Sequence, residues 1–252
     1  MAAATLIAAG ARRARSLSAS GTAAAVVVGT LCVAAGWSWG ALLIAFFVVA
    51  TALSRFRHRE KERRTGAVVA KGGERDARQV LANGGFFMIA AIGSLLAPSP
   101  LWHAAGAGAL AAATADTWGT ELGTLSPRAP RLVTSGRAVA AGTSGAVTVV
   151  GTVASVAGAL FVAGLALLAG WGSGAAWAAV FGGVAGSAAD TLLGATVQAR
   201  RQCVRCDAPT ERLVHGCGEP TRHVGGAAWL DNDGVNLASG LLGLVIGAAC
   251  AA

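Results

Sequence analysis

The sequence predicts an all-α fold, a polytopic transmembrane bundle of about seven helices. Of its 252 residues 54% are hydrophobic and only 13% charged, and the mean hydropathy is +0.60, which excludes an ordinary soluble globular class. Seven apolar stretches, roughly 22–35, 38–53, 81–97, 101–119, 143–169, 175–197 and 234–251, are long enough to span once tilt is allowed. The charged residues collect in a few polar islands between them.

Taken in order, the start MAAATLIAAGARRARSLSAS has its basic residues after its apolar stretch, the reverse of a secretory signal. Its first ten residues are too short to span and read as an interfacial or truncated segment. The first two spans are joined by the uncharged turn GWSWG. A basic island, 54–80, then leads to the third span. The neutral turn APSPLW joins spans three and four, the basic 124–141 leads to span five, the neutral GWGSG joins five and six, and the basic 198–230 leads to span seven. By the positive-inside rule the N-terminus and all three basic loops are cytoplasmic, and the neutral turns lie outside. Trp37, Trp39, Trp102, Trp171 and Trp177 fall mostly at those neutral turns, where indoles anchor the opposite interface. The chain is thus expected to be one integral membrane domain, 1–252. Its high pI reflects loops facing an anionic leaflet, not nucleic-acid binding.

One segment is out of character. HAAGAGALAAAT runs into ADTWGTELG, placing Asp116 and Glu121 at the cytoplasmic end of the fourth span. An acid at such a position persists when paired, solvated or bound to a cation. Ala-Asp-Thr recurs at 189–191, suggesting a weak internal duplication and setting Asp190 at the same end of the sixth span. These are hard oxygen ligands, suited to a magnesium ion that takes the rest of its shell from water and phosphate. On a helix Asp116 and Thr120 share a face, with Glu121 about a third of a turn away. The alternative is that loop arginines merely neutralise the acids.

Other polar groups converge on the same face. GGERDARQVLANGG offers Arg75, Arg78 and Gln79 and then Asn83, Gly84 and Gly85, where guanidinium forks and glycine-bared amides suit phosphate, or an amphipathic entry helix carries a solvated charged face. No Walker A pattern is present. Arg131, Thr134, Arg137, Gly142, Thr143, Ser144 and Gly145 can cradle an anion at the entry to the fifth span, although Thr143 or Ser144 also serves as an ordinary cap. WLDNDGVN brings Asp231, Asn232, Asp233 and Asn236 to the start of the last span, more than capping requires. CVRCDAPTERLVHGCG supplies Cys203, Cys206, His215 and Cys217, a set that fits a structural zinc knuckle with His223 as a spare, or else free thiols. Disulfide scaffolding is not expected, since Cys32 and Cys250 lie in apolar runs.

ADTWGTELG, PRLVTSGRAVAAGTSGAVT, SAADTLLGATVQ, the cysteine–histidine loop and WLDNDGVN, in that order, resemble the integral-membrane family that includes phytyl-phosphate kinase and transmembrane protein nineteen. The likeness runs over nearly the whole chain from about Ser20. It implies a CTP-dependent kinase that adds a phosphate to a prenyl monophosphate. Asp116, Glu121 and Asp190 would hold Mg2+, assisted by Asp231 or Asp233. Arg75, Arg131, Arg137 and the glycine loops would hold nucleotide phosphates, and the prenyl tail would lie between spans. A lipid cytidylyltransferase uses the same groups and stays open; a transporter or flippase would hold its acids nearer the midplane. Expected partners are the bilayer, a prenyl phosphate and a nucleotide, with homo-oligomerisation open.

Overall fold

The computed structural model describes residues 1–66, 68–69 and 73–251; Lys71 and Gly72, at the head of the glycine–arginine stretch, lie outside them. The described residues form α1 (Ala2–Arg13), α2 (Ala19–Ala35), α3 (Trp37–Arg55), α4 (His58–Thr65), α5 (Ala77–Leu96), α6 (Pro100–Gly123), α7 (Val149–Leu168), α8 (Gly172–Thr196) and α9 (Asn232–Ala249), with five short strands in the connections. Each of the seven expected spans falls on a helix, α2, α3 and α5 to α9. Helices α3, α5, α7 and α8 are long and apolar enough to cross a membrane by length and composition alone. The fold is that of a polytopic helical membrane protein.

Helix α6 occupies the centre. Its residues Ala104 to Ala115 are buried without a break, because α5, α7, α8 and α9 surround it. Such a helix needs small side chains, not an apolar outer face, and the run of Ala and Gly supplies them. A Cβ on Gly108 would stand 2.2 Å from the Gly243 carbonyl oxygen, and one on Gly182 would stand 2.8 Å from the Gly108 Cα. Three glycines thus let α6, α8 and α9 cross almost backbone to backbone.

Polar side chains define the helix starts. Asp76 and Gln79 form a capping box on α5, Ser99 precedes Pro100 at the head of α6, and Thr148 and Asp231 cap α7 and α9. Helix α7 therefore begins at Val149, not near 143, and residues 124–148 form a longer connection than expected. Thr143 and Thr148 are both acceptable caps by residue type, and the antiparallel pairing of β1 (Arg131–Leu132) with β2 (Ala146–Val147) extends the loop to the later one.

Two further corrections concern the connections and the tryptophans. The polar HREKERRT forms α4, with Glu60 paired to Arg57 and, at 2.7 Å, to Arg64. Trp39 is not an interface anchor. It is buried in a ring cluster with Phe87, His103 and Trp171, 4.6 Å centroid to centroid from the last, while Trp171 Nε1 donates to Ser38 Oγ. Trp37 and Trp177 are exposed, as an interfacial position requires.

All three basic connections meet at one end of the bundle. Arg64 donates to the carbonyls of Thr124 and Ser126, the amide of Glu211 donates to the Val68 carbonyl, and Arg75 exchanges main-chain hydrogen bonds with the turn between α1 and α2. Here 200–225 folds into a three-stranded antiparallel sheet, β3 (Arg200–Cys203) between β4 (Pro209–Thr210) and β5 (Thr221–Gly225).

Candidate active site

Helices α6 and α8 both end at the basic face, and their repeated Ala-Asp-Thr segments meet there. The carboxyl groups of Asp116 and Asp190 lie within hydrogen-bond reach of each other. Thr117 and Thr191 each return their hydroxyl to the carbonyl four residues back, on Ala113 and Ser187, at 2.8 and 3.0 Å. The two acids are therefore presented from equivalent local conformations.

Asp190 Oδ2 is buried and has no hydrogen-bond partner among the described residues; the same holds for Asn236 Oδ1 on α9. Ser239 Oγ donates to the Gly186 carbonyl at 2.9 Å. That contact fixes the register of α8 against α9, with Asp190 and Asn236 each about one turn nearer the basic end. Two neighbouring carboxylates with a bare buried oxygen need a shared proton or a cation. The charge of Glu211 also reaches Asp190.

Other charges at the basic end are committed to partners of their own. Glu121 is in the last turn of α6, where the helix dipole disfavours an acid. Lys61 Nζ answers it at 2.5 Å and also donates to the Leu53 carbonyl. Arg75 is held by main-chain bonds to Ser16 and Ser18, donates to Thr51 Oγ1 at 3.1 Å and lies 5.8 Å over the Phe47 ring. Burial lowers its pKa, and the charge of Glu121 opposes that shift. Arg78 pairs with Asp231 at 2.9 Å and approaches the buried Asp233 at 3.8 Å. Asp231 Oδ1 accepts from the Gly234 amide as a cap, and Asn232 is exposed.

The connection before α7 divides in two. Arg131, Thr134 and Arg137 are on its exposed tip, Arg131 donating to its own loop at the Gly136 carbonyl. Gly142 abuts Thr65, Gly145 packs against Ala195 where a Cβ would fall 2.3 Å from a backbone nitrogen, and Ser144 Oγ donates to Glu211. Both glycines have positive φ, +87° and +75°, so this half of the loop can pass tightly between α4 and the end of α8. Thr143 Oγ1 is buried without a partner among the described residues.

A cavity of about 270 Å³ opens between α1, α2, α3 and α5. Its walls are apolar, including Ile7, Val28, Val33, Leu43, Ile44 and Phe46, and its polar end carries Arg75, Gln79, Asn83 and Thr117. Asn83 Nδ2 donates to the Gln79 carbonyl, and Gly84 is buried beside Val28. Thr117 follows Asp116 directly on α6. A second groove, over Trp118, Leu122, Val149, Val150 and Val153, has no charged lining residue.

The sequence pattern did not single out Glu211, Lys61 or Gln198. Glu211 Oε1 accepts from Gln198 Nε2 at 2.8 Å as well as from Ser144. The available signal was an acid inside the cysteine–histidine loop of a chain with only 12 acids. Cys203, Cys206, His215 and Cys217 do come together: one ligand atom from each lies within 4.8 Å of all the others.

Comparison with known proteins agrees with this architecture. The family described as integral membrane protein DUF92 matches residues 2–244. A relative from Arabidopsis thaliana, Protein PGR, is 31% identical over 265 residues, covering 90% of this chain and 86% of the relative. No solved structure matches.

Proposed function

The chain belongs to the integral membrane protein family DUF92, and from that premise we propose that it is a membrane-embedded kinase transferring the terminal phosphoryl group of CTP to a prenyl monophosphate. Two observations carry the reading: an apolar cavity, Val28 to Phe46, whose polar end holds the half-buried Arg75 and Thr117, and the pairing of Asp116 with Asp190 on the helix that Thr117 shares. A hydrocarbon tail suits the walls and an anionic headgroup suits the mouth. The volume is near the low end for ligand pockets, roughly 300–1,000 Å³, so a longer tail would extend into lipid.

The bare Oδ2 of Asp190 and the adjoining Asp116 fit a hard divalent cation. Magnesium held there would neutralise charge on the transferring phosphoryl group. Arg75, fixed at three points, orients the lipid phosphate; Lys61 keeps Glu121 from competing for Arg75. The glycine turn at 142–145 packs against α4 and the end of α8, and Arg131, Thr134 and Arg137 are exposed beyond it, where a nucleotide arrives. An oxygen of the lipid phosphate attacks the γ-phosphorus of CTP, a new P–O bond forms, and the bond to CDP breaks with CDP leaving. Positioning and charge neutralisation supply the catalysis. With basic loops directed inward, this face is cytoplasmic.

The test is to incubate purified protein with Mg2+, CTP labelled at the γ-phosphate and a panel of prenyl monophosphates. Labelled prenyl diphosphate and CDP are expected, lost in Asp116→Ala and Asp190→Ala. Release of pyrophosphate with a CDP-linked lipid would instead identify a cytidylyltransferase, and absence of turnover across the panel would refute both.

A further inference from the structure

We propose that Cys203, Cys206, His215 and Cys217 bind one structural zinc ion, and that this ion fixes the loop carrying Glu211, which accepts from Ser144 and Gln198. The assignment is independent of the reaction proposed above.

The ligand spacing is close to that of a tetrahedral site. With Zn–S about 2.3 Å and Zn–N about 2.0 Å, ligand atoms sit roughly 3.5–3.8 Å apart. Cys203 Sγ and Cys217 Sγ are 3.6 Å apart, and His215 Nδ1 is 3.1 Å from Cys217 Sγ. A disulfide would bring the sulfurs to about 2.05 Å, so these are separate thiols arranged around a point. The other imidazole nitrogen, Nε2, is buried without a partner among the described residues, so the side-chain contact made by the ring there is to the cluster. His223 lies outside the four, on the exposed side of β5.

Two turns carry the ligands. Cys203 ends β3, its sulfur accepts from the Cys206 amide at 3.4 Å, and Asp207 takes a left-handed conformation to complete the turn. His215 and Cys217 occupy the opposite turn, closed by the Val214–Pro220 bridge and by Gly218 at φ +88°. The sheet between them has little apolar core of its own: Val204, Leu213, Val214 and Val224 are all exposed, Leu213 by 71%. A unit this small that buries so few aliphatics requires a crosslink, and a metal supplies one.

The consequence reaches the loop's attachment to the helices. Between the two turns the chain is pinned to the bundle by Thr210 Oγ1 to the Val68 carbonyl at 3.2 Å, the Glu211 amide to the same carbonyl at 2.8 Å, and Arg212 Nε to the Val69 carbonyl at 2.8 Å. Zinc holds both ends of that segment, and Glu211 is carried between them.

The experiment is metal analysis of the full chain, purified under reducing conditions, combined with cobalt substitution and hydrogen exchange. About one zinc per chain is expected, with intense tetrahedral d–d and thiolate charge-transfer bands on Co2+ loading. Cys203→Ser and Cys217→Ser should lose the metal while His223→Ala keeps it. Chelation of wild type should speed amide exchange at Thr210 to Arg212 and leave α6 and α8 unchanged. Where a cysteine variant fails to fold, the wild-type chelation and cobalt arms decide alone. Less than about 0.1 zinc per chain after incubation with zinc, or no tetrahedral bands, overturns the site. Unchanged exchange at Glu211 after complete zinc removal overturns its positioning role.

Discussion

Asp116 and Asp190, from the ends of two helices far apart in sequence, touch side chain to side chain, each followed by a threonine bonded to the carbonyl four residues before it. The Ala-Asp-Thr repeat is thus a spatial pair as well as a sequence echo.

Arg75 should act on lipid binding. Its guanidinium is at the polar end of the cavity, held by Thr51 and Phe47. Arg75→Lys keeps a charge but loses the fork, and should raise KM for the prenyl phosphate about 10-fold or more with a smaller change in kcat. Steady-state kinetics against lipid concentration measures the split.

The cavity walls should set tail selectivity. Ala25→Phe places a ring between α2 and the other walls. The ratio of kcat/KM for long over short prenyl monophosphates should fall about 10- to 100-fold, with thermal stability as the control for folding.

The Lys61–Glu121 pair has side-chain exposures of only 8% and 21%, so each single substitution leaves a poorly solvated charge. Lys61→Met should cost about 3 kcal/mol, and the double change with Glu121→Gln should recover most of it. Equilibrium unfolding in detergent across the double-mutant cycle reads the coupling.

Close crossing of α6 and α9 depends on Gly243, whose added Cβ would lie 2.6 Å from the Gly108 carbonyl oxygen. Gly243→Ala should destabilise by about 1–3 kcal/mol, visible as a lower melting temperature.

Hydropathy made the spans legible because each required a long apolar run, but it could not rank them. Alanine and glycine look alike in a central helix and a peripheral one, so the position of α6 emerges only from packing. The acid pair was legible through its repeat. Helix α4 was not, because a helix polar on every side has no apolar period, and Lys61, its buried residue, reads as one charge among many. The start of α7 was misplaced because Thr143, Ser144 and Thr148 are equivalent caps by type, and only the β1–β2 pairing distinguishes them. Trp39 has the composition of an interface anchor, yet three other rings enclose it. Glu211 was hidden because Ser144 comes from another connection and Gln198 from the far end of its own.

The most direct test of a shared cation site is titration of purified protein with Mn2+, a spectroscopic substitute for magnesium, followed by electron paramagnetic resonance. One tight site is expected in wild type, displaced by excess Mg2+, with Asp116→Asn and Asp190→Asn each abolishing it on its own. Wild-type manganese affinity in both single variants would contradict the account.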